Sequence, residues 1–386
     1  MMRRLLLAVV ALVLSAGCAW AARDRASLAI LAETRVRRVA LMPVATPPPP
    51  GVEEEELPSE SELIAGGKPL HLLGVRLWSP GIAPSNARAS LALPPGLRLG
   101  ERLDLDIYRP KPGQTVPEVE APAAVPNYTL KVYWGSSATV RPRQPRVMRL
   151  SDLTGEQQAA LLRLLAEVAL GPPGPRFYRP GWTTASWPAL GPPGHLPEGA
   201  SLAGRYTLTT DYTGGATIRA PRGKRFLPPQ ALALPDLTKR AALDRALTLR
   251  WRRLRKLVGQ QAMILGKEGP DTLVIWSAAE RAGAAPFREW SDLEAAAVRA
   301  LVRRDELLKP GRTRAVVPAG IFTNVDLAHL VLIGYGPQLT ANRPNLRARL
   351  ATNTTLLAVL GGKALPGTAT HEIESEKEEM ERERRP

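Results

Sequence analysis

Proline and glycine interrupt this chain so often that long regular elements have little room. There are 38 prolines and 32 glycines among 386 residues. Proline removes a backbone donor and clashes with the preceding helical turn, while glycine gives up more backbone freedom on ordering than any other residue. The stretches between the breaks are mostly short, and many of them alternate. Leu70–Trp78 is almost wholly apolar. Arg98–Tyr108 alternates charged residues with Leu103, Leu105 and Ile107, and Tyr128–Gly135 runs into Ser136-Ser137. A period of two sends successive side chains to opposite faces of a strand, so these runs read as half-buried strands. Gly204–Tyr212 and Ala246–Trp251 continue the pattern, the latter with Leu247, Leu249 and Trp251 on one face. Gln260–Leu265 and Thr272–Trp276 form a hairpin around Lys267–Asp271, and Thr313–Val317, Leu327–Tyr335 and Leu346–Val359 complete the set. The expected fold class is mainly β: two antiparallel β-sandwich domains, 66–240 and 241–362, with long Pro/Gly-rich loops.

Two helices stand out against this background. Thr154-Gly155-Glu156-Gln157 has the form of a capping box, followed at helical spacing by Leu161, Leu162, Leu165 and Val168, with Gly171-Pro172 as a stop. Ser291-Asp292-Leu293-Glu294 has the same form, and predicts an amphipathic helix to about Leu308, ended by Pro310-Gly311. Between Gly171 and Gly194 lies an irregular stretch bearing Trp182 and Trp187, long enough to be either a binding loop or a cover over the core.

The N-terminus has a different logic. Arg3 and Arg4 precede the apolar run Leu5–Leu14, and Ser15-Ala16-Gly17 leads into Cys18. This is the three-part pattern of a secretory signal peptide, too short for a permanent span. Cys18 is the chain's one cysteine. Leu14-Ser15-Ala16-Gly17-Cys18 resembles the lipobox of bacterial lipoproteins, which implies a mature chain beginning at an acylated Cys18. Residues 1–18 are thus expected to be the lipoprotein signal segment, cut before Cys18, and several acyl chains together to hold the protein to a bilayer. No thiol would remain for a disulfide, a metal site or a nucleophile. Ala19-Trp20, with no acid after the cysteine, implies by the same resemblance an outer-membrane position facing the periplasm. Residues 19–65 read as a tether, since Pro47–Pro50 favours an extended spacer and Glu53–Glu56 cannot bury a core. Residues 363–386 read as a charged, disordered tail.

The order Arg250-Trp251, Leu273–Ser277, Val317–Phe322, Ile333–Pro337, together with Val132-Tyr133-Trp134-Gly135, resembles an uncharacterised group of bacterial exported lipoproteins with no assigned activity. Residues 241–362 are in addition similar to a fibronectin type III domain with an inserted helix. These likenesses imply a fold and no reaction.

The formal net charge is +16, and between Gly66 and Leu350 there are 40 Lys+Arg against 21 Asp+Glu. The excess cations gather most visibly at Arg250, Arg252, Arg253, Arg255 and Lys256 around Trp251, a pattern suited to phosphates or acidic sugars, and equally to a charged edge that prevents sheet-to-sheet pairing. Trp182 and Trp187 form the second candidate, because exposed aromatics make good contact anchors. Signatures of chemistry are wanting. His71, His195, His329 and His371 have no ligand partner at metal spacing; Gly135-Ser136-Ser137-Ala138 lacks the second glycine of a nucleophile elbow; no phosphate-binding loop occurs; and Asp104 and Asp106 look solvated rather than paired. The expectation is therefore a binding or scaffolding lipoprotein of the cell envelope with no catalytic residue, metal or cofactor. Its partners would be the membrane through its lipid, and an envelope protein or anionic polymer, with nucleic acid not expected. The alternatives are an envelope hydrolase acting on cell-wall or lipid-linked substrate, and a carrier of anionic lipid or polymer.

Overall fold

The computed structural model describes residues 25–38, 68–110, 126–168, 181–189, 193–237, 241–283 and 287–362. The stretch read as a leader with Cys18, most of the stretch read as a tether, and the stretch 363–386 read as a tail lie outside them. In chain order the strands are β1 (Ala26–Arg38), β2 (Leu70–Pro80), β3 (Ala89–Ala92), β4 (Arg102–Asp104), β5 (Asp106–Tyr108), β6 (Thr129–Trp134) and β7 (Arg146–Arg149). Helix α1 (Gly155–Glu167) precedes β8 (Trp182–Trp187), β9 (Gly194–Leu196), β10 (Gly204–Thr210), β11 (Ala216–Ala220), β12 (Leu232–Leu234) and β13 (Leu247–Trp251). Strands β14 (Gly259–Glu268) and β15 (Thr272–Ser277) lead to helix α2 (Ala295–Arg303). Then come β16 (Arg314–Val317), β17 (Ala328–Tyr335), β18 (Leu339–Asn342) and β19 (Leu346–Gly361).

The chain is mainly β, as its alternation predicts. A twelve-stranded sheet runs β5-β8-β2-β1-β19-β17-β14-β15-β6-β7, with β18 on β19 and β9 on β2. A four-stranded sheet (β11-β10-β3-β4) and a three-stranded sheet (β12-β13-β16) account for the other strands of the described residues. Two features depart from the expected pair of antiparallel sandwiches. The large sheet takes strands from both sides of residue 240, and its pairings β1–β19 and β15–β6 are parallel.

The longest departure is β1. Residues 26–38 were expected in a tether, yet they form an interior strand of the large sheet, paired with β2 on one side and β19 on the other. Both of its faces are covered. Ala26, Leu28, Ile30 and Ala32 face the four-stranded sheet, packing with Leu91, Tyr206, Leu208 and Ile218. Farther along the same face, Val36 joins Leu249, Trp251, Ala315 and Val317 of the three-stranded sheet. The opposite face places Ala29 and Leu31 against Trp78 and Ala351. Beyond these, α1, α2 and Trp290 cover the same side of the sheet, with Val331, Ile333 and Leu357 beneath them. β1 and β19 therefore run through two packed layers and join them. The end at Ala26 and Leu346 is here called the foot of the sheet, and the end at Arg38 and Gly361 its top.

Local signals worked where chemistry acts over a few residues. Thr154 Oγ1 accepts from Gln157 N–H at 3.3 Å while Thr154 N–H donates to Gln157 Oε1 at 3.0 Å, closing the predicted capping box of α1. The second box does not form. Ser291 Oγ donates to Glu289 instead, and the cap of α2 comes from afar: Gln338 Oε1 accepts from Ala295 N–H at 2.9 Å. That helix ends at Arg303: Asp305 takes a left-handed φ of 57°, and Leu308 beyond it bridges to Gln260. Arg98–Tyr108, expected as one strand, is two. Leu105 N–H donates to Ala89 O between them, and the chain passes from the four-stranded sheet into the large one.

Candidate functional site

Two groups of charged side chains dominate the molecule, one internal and one on the surface. The internal group lies on the Leu31 side of β1 and β19. Glu33 and Arg35 follow one another on that face, and Arg35 binds both Glu33 oxygens, Nε at 3.2 Å and Nη2 at 2.9 Å. Its third nitrogen reaches Glu167 at the end of α1 at 2.7 Å, where Arg37 also arrives at 3.1 Å, and its guanidinium lies 5.7 Å from the Trp290 ring centre. Burial works against the Arg35 charge, but Glu33 and Glu167 outweigh it and hold its pKa above the ordinary arginine value.

Nearer the foot, the register places Arg76 and Arg349 on either side of Ala29. Arg349 binds Asp292 and, at 3.3 Å, Glu294, while Arg163 of α1 binds Glu289 at 2.7 Å. Burial pulls Arg76 down to about 10, offset in part by Asp292 and Glu289, with Arg163 and Arg349 adding to the fall. Apart from Glu33 of β1 itself, the carboxylates of this layer come from α1 and from the segment 289–294, so its work is to clamp those covering pieces onto the sheet. It is a structural seam.

The surface group is where the sequence placed it, but its composition differs. Trp251 is not a surface aromatic. It is 2% exposed, and its indole Nε1–H donates to Gln260 Oε1 at 3.0 Å. A tryptophan alternating with Leu247 and Leu249 belongs to the core face, and Val317 and Ala315 of β16 meet it there. Arg250, Arg252, Arg253, Arg255 and Lys256 are all exposed. Gln260 organises what lies beside them. Its Nε2 donates to the carbonyls of Lys309, Pro310 and Arg312 at 3.2, 2.9 and 2.9 Å, drawing the turn 309–312 against Trp251.

Lys309, Arg312 and Arg314 thereby join the cluster. In the β13–β16 register Arg314 stands directly opposite Arg250, and the Arg253 guanidinium lies against Gly311. Like charges directly opposite one another on adjacent strands destabilise a sheet. Among the described residues, no ion pair is formed by Arg250, Arg252, Arg253, Arg255, Lys256 or their new neighbours Lys309, Arg312 and Arg314. Lys256 also approaches Lys224, whose pKa is lowered by burial and by that neighbour; Lys224 Nζ leans on Pro337 O and Thr352 Oγ1 at 3.3 and 3.4 Å. The result, among the described residues, is a ridge of cations with no acid paired to them.

Trp182 and Trp187 do not form a second site. They stand at the two ends of β8 and project to opposite faces, Trp182 beside Trp78 and Ala29, Trp187 against the Ile30-side core. Both are half-buried covers.

The remaining candidates have structural partners. Ser136 Oγ accepts from Val316 N–H at 2.8 Å, and Gly135 beside it takes a φ of 94° with its carbonyl receiving Trp276 Nε1–H at 3.0 Å, a turn that only glycine enters easily. Asp104 and Asp106 are exposed, on strands of different sheets. His71 stacks on Phe226 at 4.2 Å, and burial drives His329 down to about 4, so it is neutral at physiological pH. Among the described residues no three His, Cys, Asp or Glu side chains converge as a metal set would, and no helix is long and apolar enough to cross a membrane.

Sequence reasoning missed Lys224, Lys309, Arg312 and Arg314. The run Lys309-Pro310-Gly311-Arg312-Thr313-Arg314 is visibly basic, but its place beside Arg250 depends on strand pairing across sixty-odd residues. No protein-family model matches the chain, nor does any curated protein sequence.

Proposed function

We propose that this chain is a non-enzymatic lipoprotein of the bacterial cell envelope, anchored through acylated Cys18, whose cationic ridge holds an anionic envelope polymer. In an envelope with two membranes it would stand on the outer one, facing the periplasm. The observation that carries the reading is the pairing of Arg250 with Arg314 in a cluster that has no carboxylate partner among the described residues. Such an arrangement costs folding free energy and is relieved by a bound polyanion, which gains affinity by releasing its own counterions. Charges that served solubility alone would be interspersed with acids, as they are elsewhere on this molecule at Arg102–Asp104 and Arg304–Glu306.

The test is binding of the purified protein to a long-chain polyphosphate across a salt series. Replacing Arg252→Ser, Arg253→Ser and Arg255→Ser together should weaken binding about tenfold or more at low salt and flatten the salt dependence by about three counterions. Unchanged binding at low salt disposes of the ridge. Mass spectrometry of the mature N-terminus tests the anchor separately: an unmodified Cys18 removes it.

A further inference from the structure

We infer that the foot of the large sheet is the face this protein sets against the bilayer, and that its partner there is the anionic surface of the membrane itself. The inference rests on the lipid-anchored reading above, and it fixes what that reading leaves open: which way the body faces.

The first argument is chain length. Seven residues, 19–25, separate Cys18 from Ala26, the first residue of β1. Eight Cα steps span at most about 28 Å when fully extended. From Ala26, β1 climbs thirteen residues, about 43 Å at strand rise, and β19 climbs beside it. The foot is thus tied close to the acyl chains, and the top is free to stand far from them. The Pro/Glu-rich stretch cannot act as the spacer, because it follows β1 instead of preceding it.

The second argument is the parallel pairing of β1 with β19, from Ala26 opposite Leu346 to Arg38 opposite Ala358. It makes both strands hand on their chain at the top. The sequence 39–67 that follows β1 contains six Glu and no Lys or Arg, and 363–386 that follows β19 contains seven Glu against five Lys+Arg. Both acid-rich sequences therefore depart from the end remote from the anchor. An antiparallel pairing would have put one of them at the membrane, where an anionic surface repels it.

The third argument is what the foot presents. Arg25 and Arg343 are exposed there, and Ile82, in the loop after β2, is 57% exposed, a large apolar side chain left in the open. Arg109 braces that loop, its Nε donating to Pro84 O at 2.9 Å and its Nη2 to Ser85 O at 3.1 Å. Arginines flanking an exposed aliphatic residue match an interface of anionic head groups over hydrocarbon. The ridge is placed elsewhere. Lys224 meets Thr352, six residues along β19 from Leu346, so the ridge stands roughly 20 Å up the sheet, clear for a polymer above the lipid.

Because Cys18 is acylated in the anchored form and is the chain's one cysteine, a cysteine introduced elsewhere is the single labelling position. The natively acylated mature protein, from Cys18 onward, is reconstituted into vesicles of phosphatidylcholine and phosphatidylglycerol carrying a head-group energy-transfer acceptor. A donor is attached at Ser85→Cys near the foot, or at Asp271→Cys in the β14–β15 turn at the top; Asn86→Cys and Lys267→Cys form a second pair should either first variant misfold. Co-flotation with transfer from the foot at least about threefold that from the top is the expected result, since the ends lie about 50 Å apart along β19. Co-flotation with equal or reversed transfer overturns the orientation and leaves the anchor standing. Loss of flotation overturns the anchor, and the orientation with it.

Discussion

At the middle of β1 and β19 the two faces of one sheet solve the same problem by opposite means. On the Ile30 side, the polypeptide passing from the four-stranded to the three-stranded sheet crosses between two apolar cores. Neutral hydroxyls hold it: Thr34 Oγ1 donates to Leu227 O at 2.7 Å, and Thr354 Oγ1 to Pro228 O at 2.9 Å. On the Leu31 side, at the same height, Arg35 joins Glu33 to Glu167 with full charges. A buried Leu or Ile, such as Leu28 or Ile30 farther down the strand, contributes about 1.5–3 kcal/mol, whereas each buried ion first costs several kcal/mol of lost hydration. The hydroxyl side is forgiving because each bond is neutral and worth little. The charged side has no such tolerance, since removing one partner strands the other.

The sharpest way to break that contrast is Arg35→Ala. It leaves the Glu33 carboxylate buried without its cation, and stability in urea should fall by about 3–5 kcal/mol, whereas replacing Glu33→Leu and Arg35→Met together should cost much less. A loss no larger than that of a threonine variant would show the ionic side to be as slack as the other.

The next effect is protonic. His329, on the ionic side near the top, has a folded-state pKa lowered to about 4 by burial, against 6.5 for the unfolded chain. The unfolded state binds the extra proton as pH falls through 6.5, so stability is full at neutral pH and decreases toward pH 4, by about 2 kcal/mol between pH 7 and pH 5. His329→Leu should flatten that part of the pH profile in thermal melts.

Thr34→Val and Thr354→Val should each cost about 1–2 kcal/mol, the price of one lost hydrogen bond and an unanswered carbonyl, and the double variant should depart from the sum, because the two stand opposite one another and grip successive residues of the crossing loop. The smallest effect, with the opposite sign, is expected at Gln230. It is 2% exposed, neither amide atom has a hydrogen-bond partner among the described residues, and its Nε2 lies where a side chain on Gly334 would begin. Gln230→Leu should raise the urea midpoint by the equivalent of up to about 1 kcal/mol; a lowered midpoint would show that a buried water satisfies the amide.

How far the chain could be read before folding varies by element. The β14–β15 hairpin and the capped start of α1 were legible because turn residues and a reciprocal cap act within a few positions. β1 was not. Its Glu33, Arg35 and Arg37 look like the solvated side of a linker, and what covers them is Glu167, more than a hundred residues later. The ridge is half legible: Arg250 through Lys256 announce themselves, but Trp251 among them belongs to the core, as its alternation with Leu249 already indicates.

Composition and period, taken alone, determined that this chain would be mostly strands, where its sharpest turns would fall, and that its body would be strongly basic. Those properties are set by each residue's own backbone and charge. Only the tertiary structure decided that residues 26–38 lie inside the sheet, that Arg314 faces Arg250, and that β1 and β19 run the same way. Strand neighbours and their direction depend on which distant surfaces bury one another, and no local pattern in a sequence states that.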